Sequence, residues 1–231
     1  GIVISASHNP FHDNGIKLFT SDGYKLSDAA EGAIERLIGD PEALRQKSAA
    51  VQRLGRIHRI DDAATRYLRF LTGCLAEGIT LSGLSLVIDG SNGAASALAP
   101  LLFERLGAAV TAISCAPDGF NINADCGSQH PHALAKQVLL HNADAGLAFD
   151  GDADRLIVVD ETGAVLTGDQ FMAICASHMQ AQGTLAHSVL VSTVMSNMGL
   201  GIALRRMGIA HIAAGVGDRH VMQEMIKAGA V

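Results

Sequence analysis

Two stretches far apart in the chain carry residues whose types and spacing suit chemistry on a charged, oxygen-rich group. Gly1 to Lys17, GIVISASHNPFHDNGIK, puts the hydroxyls of Ser5 and Ser7 in a polar loop with His8, Asn9 and Asn14. Pro10 stiffens the exit of that loop, and Asn9, Asn14 and Gly15 permit tight turns that can aim backbone N–H groups at anionic oxygens. Asp150-Gly-Asp-Ala-Asp-Arg155 sets three carboxylates, Asp150, Asp152 and Asp154, at alternate positions with small residues between them. Hard divalent cations take such oxygen ligands, and carboxylates so close together repel unless a cation offsets them. A hydroxyl nucleophile combined with a divalent-cation site suggests phosphoryl transfer. A seryl phosphate carries roughly −1.5 to −2 charge, so it needs N–H donors and a cation nearby.

The carboxylate run also matches another pattern. Asp150, Asp152, Asp154 and Glu161 fall at the first, third, fifth and twelfth positions of a helix–loop–helix calcium site. The sixth position, which should be glycine to make the sharp turn, is Arg155, and the flanks AGLAF and LIVVD are strand-like where helices are required. Mg²⁺ fits better. It prefers octahedral oxygen ligation with few protein ligands and a phosphate oxygen, which three aspartates and a seryl phosphate would provide.

The elements that must position these groups follow from the hydrophobic pattern. Gly1 to Ser5 and Ile16 to Thr20 read as strands on either side of the serine loop, and Ser21-Asp-Gly23 reads as a turn. Ser27 or Asp28 can cap a helix whose apolar residues Ala30, Ile34, Leu37 and Ile38 recur at helical spacing. Gly39 to Arg59 is polar, contains Pro41 and Gly55, has no clear period after Leu44, and is expected to be a link. Asp61-Asp62 open a helix with Ala64, Tyr67, Leu68 and Leu71 on one face.

From Leu84 short apolar strands alternate with helices: LSLVID, Ala94 to Leu106, AVTAI, His132 to His141, then AGLAF. This alternation predicts a parallel or mostly parallel sheet covered on both faces. The aspartate run then lies at the C-terminal end of the AGLAF strand, where such sheets place ligands. Leu156 to Asp160 and Ala164 to Leu166 flank Glu161-Thr-Gly163, a hairpin. A second unit begins at Gly168, with a helix to about Gln182, strand Ser188 to Val191, helix Ser196 to Met207, strand Ile209 to Ala213 and helix Asp218 to Ala228. In its Gly215-Val-Gly-Asp-Arg219 loop a helix N-terminus and an arginine make an anion or sugar contact, or Asp218 simply caps the helix.

Composition narrows the classes. With 231 residues, 48% hydrophobic and 17% charged, the chain can bury a sizeable core in one large domain or two smaller ones. Seventeen basic and 23 acidic residues give a formal net charge of −6, with 4% aromatics and no Lys/Arg block, which argues against nucleic acid as a partner. No apolar run approaches the roughly 20 residues of a membrane span, and no basic segment leads into a signal-like stretch, so no membrane partner and a cytoplasmic location are expected. Cys74, Cys115, Cys126 and Cys175 lie far apart without a C-x-x-C, which reads as reduced thiols rather than a zinc site. Gly1 opens straight into an apolar strand and the pattern stops at Val231 without a closing strand. A piece of a longer chain is expected.

The pairing of ISASHNPFHDNGIKLF with AFDGDADR resembles the α-D-phosphohexomutase superfamily, whose phosphoserine lies in S/T-A/G-S-H-N-P and whose Mg²⁺ is held by D-G-D-G/A-D-R. Within it, these segments together with GDQ, STVMSNMGL, VGDRHV and NINADCGSQHP look most like the bacterial branch that handles glucosamine phosphates. The resemblance implies an α/β fold of consecutive phosphohexomutase-type domains with mixed, mostly parallel sheets covered by helices. Residues 1–60 would be the later part of domain one with the phosphoserine loop, 61–167 domain two with the metal loop, and 168–231 the first part of domain three with a sugar-facing loop.

It also implies roles. Ser7, next to His8-Asn9-Pro10, matches the phosphoserine, and His8 matches an active-site histidine. Lys17 matches a lysine that binds the phosphoryl group or takes part in proton transfer, and Arg155 an arginine that stabilises phosphate in flight. Asp150, Asp152, Asp154 and the Ser7 phosphate would hold one Mg²⁺, and Asp218 and Arg219 would face the sugar. The implied substrate is a small phosphosugar, interconverted between glucosamine 6-phosphate and 1-phosphate, with glucosamine 1,6-bisphosphate or similar as primer and intermediate. A glucose or mannose phosphate mutase on the same chassis, or an inactive metal-binding remnant, are the alternatives.

Overall fold

The computed structural model describes residues 1–47 and 55–230. Its elements in order are β1 (Ile2–Ser5), β2 (Gly15–Leu18), α1 (Asp28–Ile38), α2 (Pro41–Lys47), α3 (Ala63–Gly73), β3 (Ser85–Asp89), α4 (Ala95–Arg105), β4 (Ala109–Ile113), α5 (Pro131–His141), β5 (Ala145–Phe149), β6 (Leu156–Asp160), β7 (Val165–Leu166), α6 (Gly168–Ala181), β8 (Val189–Thr193), α7 (Met198–Arg206), β9 (Ala210–Ala214) and α8 (Asp218–Ala228).

The central sheet has the order β4-β3-β5-β6-β7. β3 pairs in parallel with both β4 and β5, while β6 and β7 add antiparallel through the expected hairpin. Alternate residues of β3 serve opposite faces, as the strand pleat requires. Leu86 and Ile88 pack with Ala95 and Ala99 of α4, whereas Val87 packs with Leu134 and Val138 of α5, Ala148 and Val159. The sheet is therefore mixed and covered on both faces. Its C-terminal edge at Asp89 and Phe149 carries the loops that matter below.

Two smaller sheets flank it. β8 and β9 pair in parallel, and Leu200 and Leu204 of α7 bury against Ala176 of α6 and Ile209. Thr167 caps α6 through a reciprocal box with Gln170. β1 and β2 form an antiparallel ladder with Val3 opposite Lys17 and Ser5 opposite Gly15, so Ser5 and Lys17 share one face. Ser27 caps α1, its hydroxyl accepting from Ala30 N at 3.3 Å.

The link differs from its expectation. Pro41–Lys47 is a helix, started by Asp40, whose carboxylate accepts from Glu42 N and Ala43 N at 3.1 and 3.0 Å, with proline at the first helical position. Of the rest of that segment, residues 48–54 lie outside the described residues and 55–59 form no regular element; the expected stop at Val231 also lies outside the described residues. On α3 only Leu68 is buried of the face read as apolar, and Tyr67 stays 51% exposed. Among the described residues no helix is long and apolar enough to cross a membrane.

Candidate active site

β1 delivers the serine loop directly onto the loop that follows β5. Ser7 adopts φ +51°, a left-handed conformation that a non-glycine residue keeps only when its surroundings hold it. Here they do. The Ser7 carbonyl accepts from Gly151 N at 3.0 Å and from Asn123 Nδ2 at 2.8 Å, and Ser7 N donates to Ser5 Oγ at 2.8 Å. Ser5 in turn donates to Asp152 Oδ2 at 2.6 Å. The Ser5 hydroxyl is thus engaged on both sides, while among the described residues Ser7 Oγ meets only His8 Nδ1, at 3.4 Å.

The three aspartates converge. One carboxylate oxygen from each of Asp150, Asp152 and Asp154 lies within 4.8 Å of the others. At that separation each pair of charges repels by on the order of 3 kcal/mol at an effective dielectric near 20, less for exposed Asp154, which water screens. Lys17 Nζ offsets part of this, donating to Asp152 Oδ2 at 2.6 Å and lying 3.8 Å from Asp154. Arg155 closes the loop, its backbone N–H bonding Asp150 Oδ1 at 3.2 Å and its Nε 3.7 Å from Asp154 and 3.9 Å from Asp150.

Titration follows these contacts. Burial, reinforced by repulsion from Asp154 and Asp152, raises the Asp150 carboxyl above its ordinary value despite the Arg155 N–H. Burial pushes Asp152 the same way, but bonds from Lys17 and Ser5 outweigh it and hold that carboxyl below the ordinary range. The bond to Asp152 raises Lys17.

Two carboxylate oxygens in the cluster, Asp150 Oδ2 and Asp152 Oδ1, are buried with no hydrogen-bond partner among the described residues. A buried unpaired acceptor costs about 1–3 kcal/mol, more when charged. Each belongs to a carboxylate whose other oxygen is already bonded, so the orphaned pair matches what a cation would occupy. The donor set is all oxygen, which suits a hard divalent ion.

Gly93 and Gly151 let backbone approach backbone at this point. A Cβ on Gly93 would overlap the Gly151 carbonyl, and one on Gly151 would overlap the Ser7 carbonyl. The contact is fixed by Ala94 N donating to Gly151 O at 2.8 Å. Ala153 takes φ +62° in the same loop, at the position where the resembling motif D-G-D-G/A-D-R carries glycine or alanine.

Asp218 and Arg219 stand elsewhere. Asp218 accepts from Lys25 Nζ at 2.8 and 2.7 Å, and Arg219 pairs with Asp28, so the two residues tie the start of α8 to the β2–α1 connection and to the start of α1. Lys25 holds Asp218 below the ordinary carboxyl range. Asp218 is not the helix cap. That position is Gly217, at φ +118°, and no side chain caps α8. A cavity of about 320 Å³ adjoins these pairs, between Phe19, Tyr24, Met222 and Ile226.

Sequence reading left several members of the site unassigned: the bonds of Ser5, the Asn123 amide, the Gly93–Gly151 contact, and Asp89, buried below the site and bonded to Ser91 N and Gly127 N at 2.9 and 2.8 Å. Asn-Ile-Asn123 was visible as a motif but carried no derivable chemistry.

Three consecutive family models describe the chain. They are phosphoglucomutase/phosphomannomutase alpha/beta/alpha domain I over residues 1–45, domain II over 65–163 and domain III over 167–231. The chain belongs to the phosphoglucomutase/phosphomannomutase family. It is 52% identical over 231 residues to a phosphoglucosamine mutase of Geobacter sp. (strain M21) and 53% identical over 231 residues to one of Geotalea daltonii, in each case over 99% of the chain and 50% of the relative. The chain spans about half the length of the curated relatives it matches. Among solved structures, a phosphoglucomutase/phosphomannomutase family protein from Burkholderia thailandensis superposes with a TM-score of 0.79 at 27% identity, covering 99% of this chain and 48% of that one. The family models account for three consecutive alpha/beta/alpha domains.

Proposed function

We propose that the chain carries the phosphoserine and metal-binding parts of a phosphosugar mutase acting on glucosamine phosphates. The observation that supports this most is the docking of the Ser7 loop on the aspartate loop, with Ser7 O bonded to Gly151 N and Ser5 bonded to Asp152. The choice of sugar leans on relatives named phosphoglucosamine mutase at 52–53% identity. A cytoplasmic setting suits a phosphorylated sugar substrate.

In this reading Asp150, Asp152 and Asp154, with the Ser7 phosphate, would hold Mg²⁺, which would supply charge neutralisation for the phosphoryl group. Ser7 donates its phosphate to the free hydroxyl of glucosamine 6-phosphate. The Ser7 Oγ–P bond breaks as the sugar O–P bond forms, giving a 1,6-bisphosphate that reorients and returns its other phosphate to Ser7. The first transfer takes the proton of the sugar hydroxyl and leaves one on Ser7 Oγ; the second takes the proton of Ser7 Oγ and leaves one on the freed sugar oxygen, so protons balance over the cycle. His8, with Nδ1 3.4 Å from Ser7 Oγ, stands at the serine end of that exchange. Lys17 and Arg155 present cations to the transferring group, and fixed charges of this kind supply much of phosphoryl-transfer catalysis. Asp218 and Arg219, paired here with Lys25 and Asp28, would meet the sugar when those exposed pairs open.

The test is a mutase assay on the full protein primed with a bisphosphorylated sugar. Glucosamine phosphate should exceed glucose and mannose phosphates in kcat/KM. Equal or better turnover of glucose or mannose phosphate would move the chain to those activities.

A further inference from the structure

We propose that Asn123 is the positioning residue of the Ser7 loop, its side-chain amide clamping two carbonyls of that loop and so fixing where Ser7 Oγ stands against the aspartates. This rests on the phosphoserine reading for its catalytic consequence, but the clamp itself is a matter of geometry.

Asn123 Nδ2 donates to Ser7 O and to Asn9 O, each at 2.8 Å. Both partners are carbonyls, which only accept, so the amide nitrogen must be the atom facing them and its two hydrogens are fully used. The residue is 8% exposed, which places these bonds out of competition with water. The two carbonyls bracket His8, so the clamp grips the loop on both sides of the residue next to the nucleophile. With Gly151 N on Ser7 O as well, the left-handed Ser7 backbone is held from two directions.

The clamp has a rigid footing. Asn123 is itself left-handed, at φ +57°, a conformation that asparagine tolerates better than most residues, and its N–H donates to Ser91 O at 2.9 Å. Asp89, at the end of β3, fixes both ends of this support by accepting from Ser91 N and Gly127 N. A path of bonds therefore runs from the central sheet through Asp89, Ser91 and Asn123 to the nucleophile loop, across 116 positions of sequence between Asn123 and Ser7.

The experiment uses Asn123→Gly in the full protein, since glycine accepts the positive φ without strain and removes only the amide. Asn123→Asp, which keeps the shape but turns two donors into acceptors facing carbonyls, is the second variant. Hydrogen exchange is read on peptides covering residues 6–14 and on the core strands 85–89 and 145–149, alongside kcat and KM. The expected result is exchange about tenfold faster in 6–14 with the core strands unchanged. The expected kinetic result is a kcat lowered by about tenfold or more at a KM within about threefold, the pattern of a misplaced nucleophile. Unchanged exchange in 6–14, or equal loosening of the core strands, would overturn the clamp. If the wild-type protein turns over no phosphosugar, the functional reading fails while the exchange measurement still decides the role of Asn123.

Discussion

Gly151→Ala should separate the two loops that make the site. An added methyl overlaps the Ser7 carbonyl and stands 2.8 Å from both Asn123 Nδ2 and Ile122 Cδ1. Gly151 is not left-handed, so alanine's cost is steric and not torsional. Carbon contacts settle at about 3.5–4.0 Å, so relief takes a shift of roughly 1 Å between the serine and aspartate loops. A shift of that size carries the bonds to Ser7 O from Gly151 N and Asn123 Nδ2, now 3.0 and 2.8 Å, beyond hydrogen-bonding range. Overpacking of this kind costs about 1–3 kcal/mol, too little to unfold a domain of ordinary stability. Its effect on the chemistry is larger, because a misplacement of about 1 Å lowers rates by on the order of 10²-fold. A primed mutase assay should therefore show kcat down about 100-fold with KM nearly unchanged, while thermal unfolding and Mg²⁺ calorimetry report a folded, metal-competent protein. Activity within about threefold of wild type would refute the claim that this contact sets the nucleophile's position.

Asp152→Asn should leave folding nearly intact and remove most Mg²⁺ binding and turnover, since it neutralises the carboxylate that Lys17 and Ser5 hold; calorimetry showing undiminished binding would count against the site. Intact-mass analysis should find one phosphate that Ser7→Ala abolishes and Ser5→Ala retains, and mapping to Ser5 would reverse the assignment. Ala153→Gly should leave unfolding stability unchanged or raise it by up to about 1 kcal/mol, because it relieves a left-handed alanine at φ +62°; a clear loss in denaturant melts would contradict this. Asp218→Ala should narrow the preference for glucosamine phosphate over glucose phosphate in kcat/KM, and an unchanged ratio would remove Asp218 from sugar recognition.

What the sequence disclosed depended on whether the signal was local. The alternation of LSLVID, AVTAI and AGLAF with helices announced the central sheet, because strands buried on both faces must be apolar throughout. The carboxylate triad was equally plain, since its three ligands are neighbours in the chain. The helix Pro41–Lys47 was missed because none of its seven residues is buried, so it carries no apolar face to give a period. Its only local mark was Asp40-Pro41, a cap followed by proline. Asn123 and the bonds of Ser5 were illegible for another reason. The partners of Asn123 Nδ2 and the Asp152 partner of Ser5 lie 114 to 147 positions away, and a hydrogen bond between distant polar residues leaves no pattern in either segment. An acidic residue at a helix start suits a cap, so Asp218 reads from sequence as a cap or as a sugar contact. The helix does begin at Asp218, but its cap is Gly217, whose φ of +118° suits no other residue well.

The way the carboxylates are already bonded bears on which ion the loop can choose. Ser5 and Lys17 both bond Asp152 Oδ2, and Arg155 N bonds Asp150 Oδ1, so among the described residues each of these aspartates has one oxygen free of hydrogen bonds. These bonds would bias each carboxylate toward offering an ion one oxygen rather than two. Ca²⁺ seeks six to eight oxygens and commonly takes a carboxylate through both, whereas Mg²⁺ is content with one oxygen from each of a few ligands and completes its octahedron with water and phosphate. Selectivity against the larger ion would thus come in part from a lysine and a serine on strands β1 and β2, neither of which needs to touch the metal.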